Sequence, residues 1–191
     1  MQPSVCLFWS PLSAEVRSCE AHDASSGSGR LLGRMDIGYA AMEKLFFPNG
    51  RLHPEHLERA IEWTEDRIQA AKIPVPEGAQ LFTRDADLHA LAQVSGVTAH
   101  SPVLHVDAVE QTFSRLVMQA MGQAAPQNAL PATARFFATL VFVRELMHHL
   151  HFPQIHLLKG LDHALGTDPR QPFAASPLGQ ISGTLGSTPL R

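Results

Sequence analysis

The sequence has little charge and no long apolar run, and both shortages narrow the classes of protein it can be. Only 17% of its 191 residues are charged, below the usual quarter, so the surface must rely on uncharged polar and histidine side chains. The best apolar run, 136–143, is far shorter than the roughly 20 residues of a membrane helix. The apolar stretch 5–9 is too short for a signal-peptide core. We therefore expect a cytoplasmic protein without a membrane segment.

Cysteine is also scarce, because the chain contains Cys6 and Cys19 and no other. Structural zinc sites are built from four ligands, often several thiolates, and nothing else in the chain completes such a cysteine-based set. Both residues fall in a segment that we expect to be flexible, where a disulfide would only close a loop. We expect two reduced thiols without a role.

Recognisable catalytic motifs are missing as well. The glycines at 27–33 precede no strand–helix unit, so they do not form a phosphate-binding loop. No Gly-x-Ser-x-Gly sequence is present, which excludes the nucleophile elbow of α/β-hydrolases. These absences favour a protein that is not an enzyme, although they leave the question open.

Composition divides the chain into three parts. Residues 1–35 contain the Ser/Gly stretch 25–29, which is typical of a linker, and we expect a flexible N-terminal extension. Residues 167–191 are rich in Pro, Gly and Ser and cannot bury enough apolar surface to offset their ordering entropy, so we expect a disordered tail. Residues 36–166 are left as a helical domain.

Apolar periodicity within this domain predicts an all-α fold. The spacing and the Pro and Gly boundaries predict six helices, at 37–47, 54–73, 84–94, 102–121, 132–151 and 154–165. The amphipathic pattern is clearest in 54–73. Leu81 and Phe82 could pair briefly with another strand, but no alternating run is long enough to require a sheet. We therefore predict a compact bundle of about six helices with disordered N- and C-terminal segments.

A candidate metal site lies at the end of the fifth predicted helix. The stretch 136–151 is apolar nearly all round and then carries Glu145 and His148, a Glu-x-x-His pair of the kind that helical bundles use to bind metal. Glu110 lies beside the apolar stripe of the fourth predicted helix, where a carboxylate needs a partner. Glu145, His148 and Glu110 together predict a mononuclear site for iron, manganese or zinc.

The same residues have a simpler interpretation, in which the protein binds no cofactor. Histidines suit the exposed end of a helix because of the helix dipole. Adjacent His148 and His149 point about 100° apart, so both cannot easily serve one ion. A dinuclear site would also need a second Glu-x-x-His pair, and the chain has none. We favour the interpretation without metal and retain the metal site as the alternative.

A second candidate is a helix-turn-helix. Residues 88–98 resemble the first helix and turn of repressor-type DNA-binding units, with Gly96 where the turn needs it. Pro102 would then fall inside the recognition helix, and the stretch 99–111 contains no Lys or Arg to neutralise phosphates. A nucleic-acid partner is therefore not expected.

Taken together, these patterns predict a small cytoplasmic accessory or interaction protein without evident catalytic chemistry. The acidic face of the second predicted helix, with Trp63, Glu62 and Asp66, is the expected docking surface for a protein partner. Self-association through the fifth predicted helix is the other route. A metal-binding helical bundle and a helix-turn-helix regulator remain the alternatives.

Overall fold

The backbone is organised around a six-stranded sheet. The computed structural model describes residues 2–19, 29–123 and 129–158. The strands are β1 (Ser4–Trp9), β2 (Ala14–Cys19), β3 (Leu31–Met35), β4 (Gln80–Thr83), β5 (Val103–His105) and β6 (Gln154–Leu157). The helices are α1 (Tyr39–Phe46), α2 (Pro54–Ala71), α3 (Ala86–Val94), α4 (Val106–Ala120) and α5 (Ala134–His149), with a short 3-10 turn at Pro48–Gly50.

The strand order is β3-β2-β1-β4-β6-β5. The three central strands β1, β4 and β6 are parallel, with Val5 opposite Leu81 and Leu81 opposite Ile155. The outer strands β2, β3 and β5 each run antiparallel to their neighbours. Because parallel strands need crossover connections, helices link β1 to β4 and β4 to β6.

The all-α prediction is wrong, and the fold is mixed α/β. Three of the strands lie within residues 1–35, which were expected to be a flexible extension. In β1, five of the six residues are buried, so its sequence shows no alternation of apolar and polar residues. A strand buried on both faces has this continuous apolar pattern, which short runs share with buried helices.

Most of the helices were predicted from the sequence, although their first and last residues differ slightly from the prediction. Within the described residues, five of the six predicted helices have a counterpart in α1 to α5. The sixth, 154–165, is wrong at its start because Gln154–Leu157 is strand β6, and from 159 onward it lies outside the described residues. The predicted disordered tail at 167–191 also lies outside them.

The helix-turn-helix prediction is wrong as well. After α3 the chain turns at Gly96, whose φ of +86° suits glycine. Thr98 and Ser101 then form an isolated antiparallel bridge, and β5 follows. The position of a recognition helix is therefore extended backbone, because the segment after α3 joins the edge of the sheet.

Helix α5 forms the centre of the core. Twelve of its sixteen residues are buried, and it packs against α1, α2, α3 and α4. The helices cover the sheet face that presents Val5, Leu7, Leu81 and Ile155. Among the described residues, no helix is both long and apolar enough to cross a membrane.

Candidate functional site

Polar side chains gather where the parallel strands β1 and β4 end. Strand β1 ends at Trp9 and is followed by the turn 10–13, while β4 ends at Thr83, directly before Asp85 and Asp87. Ligands of open α/β sheets bind outside the carboxyl ends of the parallel strands. This edge of the sheet is therefore the candidate functional site.

Asp85 is fixed by hydrogen bonds on both sides. The Thr83 hydroxyl donates to the carbonyl of Leu7 on β1 (3.1 Å) and accepts from the backbone N–H of Asp85 (3.1 Å). The Asp85 carboxylate is the N-cap of α3 and accepts from the N–H groups of Asp87 (2.9 Å) and Leu88 (3.1 Å). Asp85 therefore joins the two parallel strands to the start of a helix.

The carboxyl group of Asp85 changes its charge close to neutral pH. Burial raises its pKa to about 7, and the neighbouring charge of Asp87 adds to the rise. The two backbone N–H groups favour the ionised form and oppose this shift without cancelling it. A carboxyl group with a pKa near the working pH can both accept and release a proton, which is what acid–base catalysis requires.

Asp87 lies in a buried cluster of charges. Its Oδ2 accepts from Arg135 Nη1 of α5 at 3.0 Å, and Arg135 Nε donates to Glu43 of α1. The guanidinium also lies 3.4 Å from the ring centroid of Tyr39. Burial raises the pKa of Asp87 although Arg135 opposes the rise, and within the described part of the chain its buried Oδ1 has no hydrogen-bond partner. One oxygen of this carboxylate is therefore still available to a ligand.

The turn between β1 and β2 closes the other side of the site. Ser10 Oγ accepts from the N–H of Ser13 at 3.0 Å, which holds the turn together. The carbonyls of Ser10 and Pro11 accept from the N–H groups of Tyr39 (3.3 Å) and Ala40 (3.2 Å). The turn thus satisfies N–H groups at the N-terminus of α1, which otherwise have no partner within the helix.

A close backbone approach makes this contact possible. A Cβ added at Gly38 would come within 2.0 Å of the carbonyl oxygen of Pro11. Nearby, Trp9 Nε1 donates to the carbonyl of Ile37 at 3.0 Å, and its ring stacks on Phe142 of α5 with 4.6 Å between centroids. The end of β1 is therefore anchored to both α1 and α5.

Of the predicted metal ligands, Glu110 lies on α4, and Glu145 and His148 lie toward the opposite end of α5 from Arg135, with His148 about 20 Å away at 1.5 Å per residue. His148 Nε2 is 2.5 Å from Glu110 Oε1, so the structure does bring these two together. Arg144, however, lies between the carboxylates: its Nε is 2.9 Å from Glu110 and its Nη1 is 2.5 Å from Glu145. Among the described residues, no three His, Cys, Asp or Glu side chains are arranged to hold a metal ion.

The predicted docking residues lie on α2. Trp63 is half-buried, packs edge-on against Phe46 of α1 and is covered by the guanidinium of Arg67, 3.7 Å from its ring centroid. Glu62 and Asp66 are exposed. The indole therefore already has intramolecular contacts, while the two carboxylates face solvent.

A cavity of about 620 Å³ lies at the amino ends of β1, β4 and β6, which is the edge of the sheet opposite the candidate site. His149, His151 and His156 are in its lining, and burial lowers the pKa of His156, with a smaller effect from His105. Apart from Glu77, its lining has no acidic group. The carboxyl edge is the stronger candidate because it combines buried Asp87, which has an oxygen without a partner among the described residues, with half-buried Asp85, whose pKa is near 7.

None of the four residues at the centre of this site was predicted from the sequence: Asp85, Asp87, Glu43 and Arg135. One signal was present, because Arg135 starts a segment that is otherwise apolar and a buried arginine needs anionic partners. Its partners come from two other helices, 48 and 92 residues away in sequence. That separation is why spacing within the chain could not identify them.

Solved structures of other proteins have a fold similar to that of this chain. No protein-family model matches the chain, and no curated protein matches it. A solved structure of the Aquifex aeolicus Ppx/GppA family member superposes with a TM-score of 0.58 at 13% identity, covering 83% of this chain and 52% of that one. The type II variant of the Aquifex aeolicus Ppx/GppA phosphatase gives 0.56 at 14%, covering 83% and 54%. An exopolyphosphatase-like protein gives 0.55 at 10%, covering 82% and 56%.

The likeness establishes an α/β fold of this type, and the chain spans just over half the length of these proteins. The prediction of a helical accessory protein without catalytic chemistry is wrong. Its premise was an all-α bundle, whereas the fold found here occurs in proteins described as phosphatases and Ppx/GppA enzymes. The two alternatives, a metal-binding helical bundle and a helix-turn-helix regulator, are wrong for the same reason, because both assumed an all-α fold.

Proposed function

We propose that the protein is a phosphatase-like hydrolase that acts on a phosphorylated substrate at the carboxyl edge of β1 and β4. The observation that carries this proposal is Asp85, a carboxyl group with a pKa of about 7 at the edge where ligands of such sheets bind. The fold shared with a Ppx/GppA phosphatase and an exopolyphosphatase-like protein supports the choice of substrate class.

Each residue of the edge has a role in this proposal. Ionised Asp85 accepts the proton from the water that attacks phosphorus, which makes that water a better nucleophile. Arg135 is a positioning residue, because its hydrogen bond to Asp87 and its contact with Glu43 hold the second acid in place. Phosphoryl transfer depends largely on such positioning and on charge stabilisation.

A divalent cation fits this arrangement. Among the described residues, the Oδ1 atom of Asp87 is buried without a hydrogen-bond partner, and the charge of Asp87 contributes to the raised pKa of Asp85. Magnesium is typically held by one or two carboxylates together with substrate phosphates and water. Asp87 would hold the ion together with the substrate phosphates, and the ion would neutralise charge on those phosphates when bound. This proposed site is separate from the predicted iron, manganese or zinc site at Glu110, Glu145 and His148, which stays a prediction.

The test is release of inorganic phosphate from p-nitrophenyl phosphate and from polyphosphate, with and without Mg²⁺. Asp85→Asn is the informative variant because asparagine caps a helix as well as aspartate but cannot accept the proton. We expect kcat to fall by roughly 100-fold or more without any fall in the thermal melting temperature. Asp66→Asn, on the exposed face of α2, is the matched control. Full activity in Asp85→Asn, or no phosphate release by the wild type, would overturn the proposal.

A protein partner or self-association remains a separate proposal, as does a cytoplasmic location. The exposed carboxylates Glu62 and Asp66 beside Trp63 support docking on α2. Size-exclusion chromatography with light scattering tests self-association through this surface. A defined oligomer in the wild type that is lost in the double variant Glu62→Lys/Asp66→Lys would support it. A strictly monomeric protein that retains no partner counts against it.

A further inference from the structure

The only two cysteines of the chain lie side by side on paired strands. In the β1–β2 ladder, Cys6 is opposite Arg17 and Ser4 is opposite Cys19. Opposite residues share a face of the sheet and residues two apart share it too, so Cys6 and Cys19 are diagonal neighbours on the same face. Both belong to one small apolar cluster with Phe82, and each thiol influences the pKa of the other. The expectation that these thiols lie in a flexible segment is therefore wrong, because both are on paired strands.

We propose that Cys6 and Cys19 form an intramolecular disulfide when the protein is oxidised by hydrogen peroxide. Cys6 is buried and Cys19 is partly exposed, so Cys19 is the first of the two to react with the peroxide. The Cys19 thiol loses its proton, its thiolate sulfur attacks one peroxide oxygen, and the O–O bond breaks. The departing hydroxide takes up that proton, so the products are a Cys19 sulfenic acid and water. The Cys6 sulfur then attacks the sulfenic sulfur, the S–O bond breaks, and the departing hydroxide leaves as water with the Cys6 proton. Two thiols are oxidised and one peroxide is reduced to two waters.

A disulfide between Cys6 and Cys19 requires a small movement of one strand. Diagonal neighbours in a sheet lie farther apart than the 3.5–4.5 Å between Cβ atoms in a disulfide, so one strand must move slightly. Cys19 is the last residue of β2, and the β2–β3 register already shifts between Val16 and Arg17. The end of β2 is therefore the part of the hairpin that can adjust.

The reaction is slow at neutral pH, because burial raises the pKa of both thiols and the thiolate is the reactive form. The Cys6 thiol stabilises the Cys19 thiolate and opposes part of that rise, which again makes Cys19 the first residue to react. The bond would close the end of the β1–β2 hairpin opposite the turn at 10–13. That turn holds the N-terminus of α1, so oxidation would tighten one wall of the candidate site.

The first test is the equilibrium of the wild-type thiols with reduced and oxidised glutathione, measured by intact mass after acid quenching. Because the chain has two cysteines, a monomer lighter by two hydrogen atoms can only carry the Cys6–Cys19 bond. The same equilibrium is measured in concentrated urea. We expect the folded protein to form the bond at least about tenfold more favourably than the unfolded chain, since the fold holds the thiols together. An equal or smaller constant in the folded protein would overturn the proposal.

The second test applies hydrogen peroxide directly. Wild-type protein should lose both titratable thiols together and remain monomeric. Cys19→Ser should give only oxygen additions on Cys6 or a disulfide-linked dimer, and at a lower rate because Cys6 is buried. Independent oxidation of the two wild-type thiols to sulfinic acids would contradict a shared bond. Phosphatase activity is not a readout in either test, so this inference stands or fails separately from the proposed function.

Discussion

Arg135 of α5 donates a hydrogen bond from Nη1 to Oδ2 of Asp87 at the start of α3, over 3.0 Å. The two side chains are only 8% and 9% exposed. The same guanidinium contacts Glu43 of α1, so one buried cation links three helices around the carboxyl edge of the sheet. Breaking a buried ion pair from one side leaves an uncompensated charge, which costs more than the pair itself contributes.

Replacing Arg135 by methionine should therefore lower the free energy of unfolding by about 3–5 kcal/mol. Methionine keeps much of the side-chain volume but leaves the carboxylates of Asp87 and Glu43 without their cation. Urea denaturation followed by circular dichroism measures the change. Arg51→Met is the control, because Arg51 is exposed. Adding Asp87→Asn to Arg135→Met should restore part of the loss, and a single-variant loss below about 1 kcal/mol would contradict the buried ion pair.

Thr83→Val should destabilise the protein by about 1–3 kcal/mol. Valine has nearly the same shape but removes the hydroxyl that bonds to Leu7 O and to the N–H of Asp85. Both groups would then be left without this partner in a buried environment. Thermal or urea unfolding measures the loss, with Thr98→Val at an exposed position as the matched control, expected within about 0.5 kcal/mol of wild type. Equal stabilities for the two variants would show that Thr83 does not join β1 to β4.

The raised pKa of Asp85 predicts how stability depends on pH. Its pKa moves from 3.8, the ordinary value, to about 7 in the folded protein. Between these two values the folded state binds more protons than the unfolded state, so this contribution to stability is present below about pH 4 and is lost as the pH rises through 7. Asp87, whose pKa is also raised by burial, acts in the same direction.

The difference in unfolding free energy between Asp85→Asn and wild type isolates this effect, because other groups titrate in both proteins. The variant should gain stability relative to wild type as the pH is raised from 4 to 8, since asparagine stays neutral. Urea midpoints at several pH values measure the trend. A difference that is constant with pH would mean that Asp85 has an ordinary pKa.

His151→Gly should stabilise the protein by about 0.5–1 kcal/mol. His151 has φ of +58° just past the end of α5, a conformation that glycine adopts without strain. The backbone bonds that close the helix, from Phe152 N to Met147 O and from His151 N to His148 O, do not need the imidazole. Chemical denaturation measures the gain, and His100→Gly in an exposed loop is the comparison. A loss of stability in His151→Gly would show that the imidazole makes a contact worth more than the strain.

The predicted helices were mostly found because their signal is local. In α2, the apolar positions recur with helical spacing and Pro54 stands in the first turn, so the periodicity can be read without knowing what the helix packs against. Glu110 and His148, which were predicted as metal ligands, lie close together because both project from helices beside the core. Arg144, which lies between the two predicted carboxylates, was not expected as their partner.

The candidate site was not predictable in the same way. Asp85 is an ordinary aspartate in the sequence, and its pKa of about 7 arises from burial and from Asp87 only after the fold has formed. Arg135, Asp87 and Glu43 come from three helices. A pairing of this kind depends on how the helices pack on the sheet, which no spacing within one segment encodes.

The sequence by itself determined where helices form, because helix formation depends on residues three and four positions apart. The tertiary structure decided that these helices cover a sheet. Strands β4, β5 and β6 have only three or four residues each, too few for a clear alternation, and β1 is nearly continuously buried. Such strands are stabilised by hydrogen bonds to partners far away in the chain, and β1 meets β4 more than 70 residues later. The carboxyl edge that carries Asp85 and Asp87 exists only once those distant strands have paired.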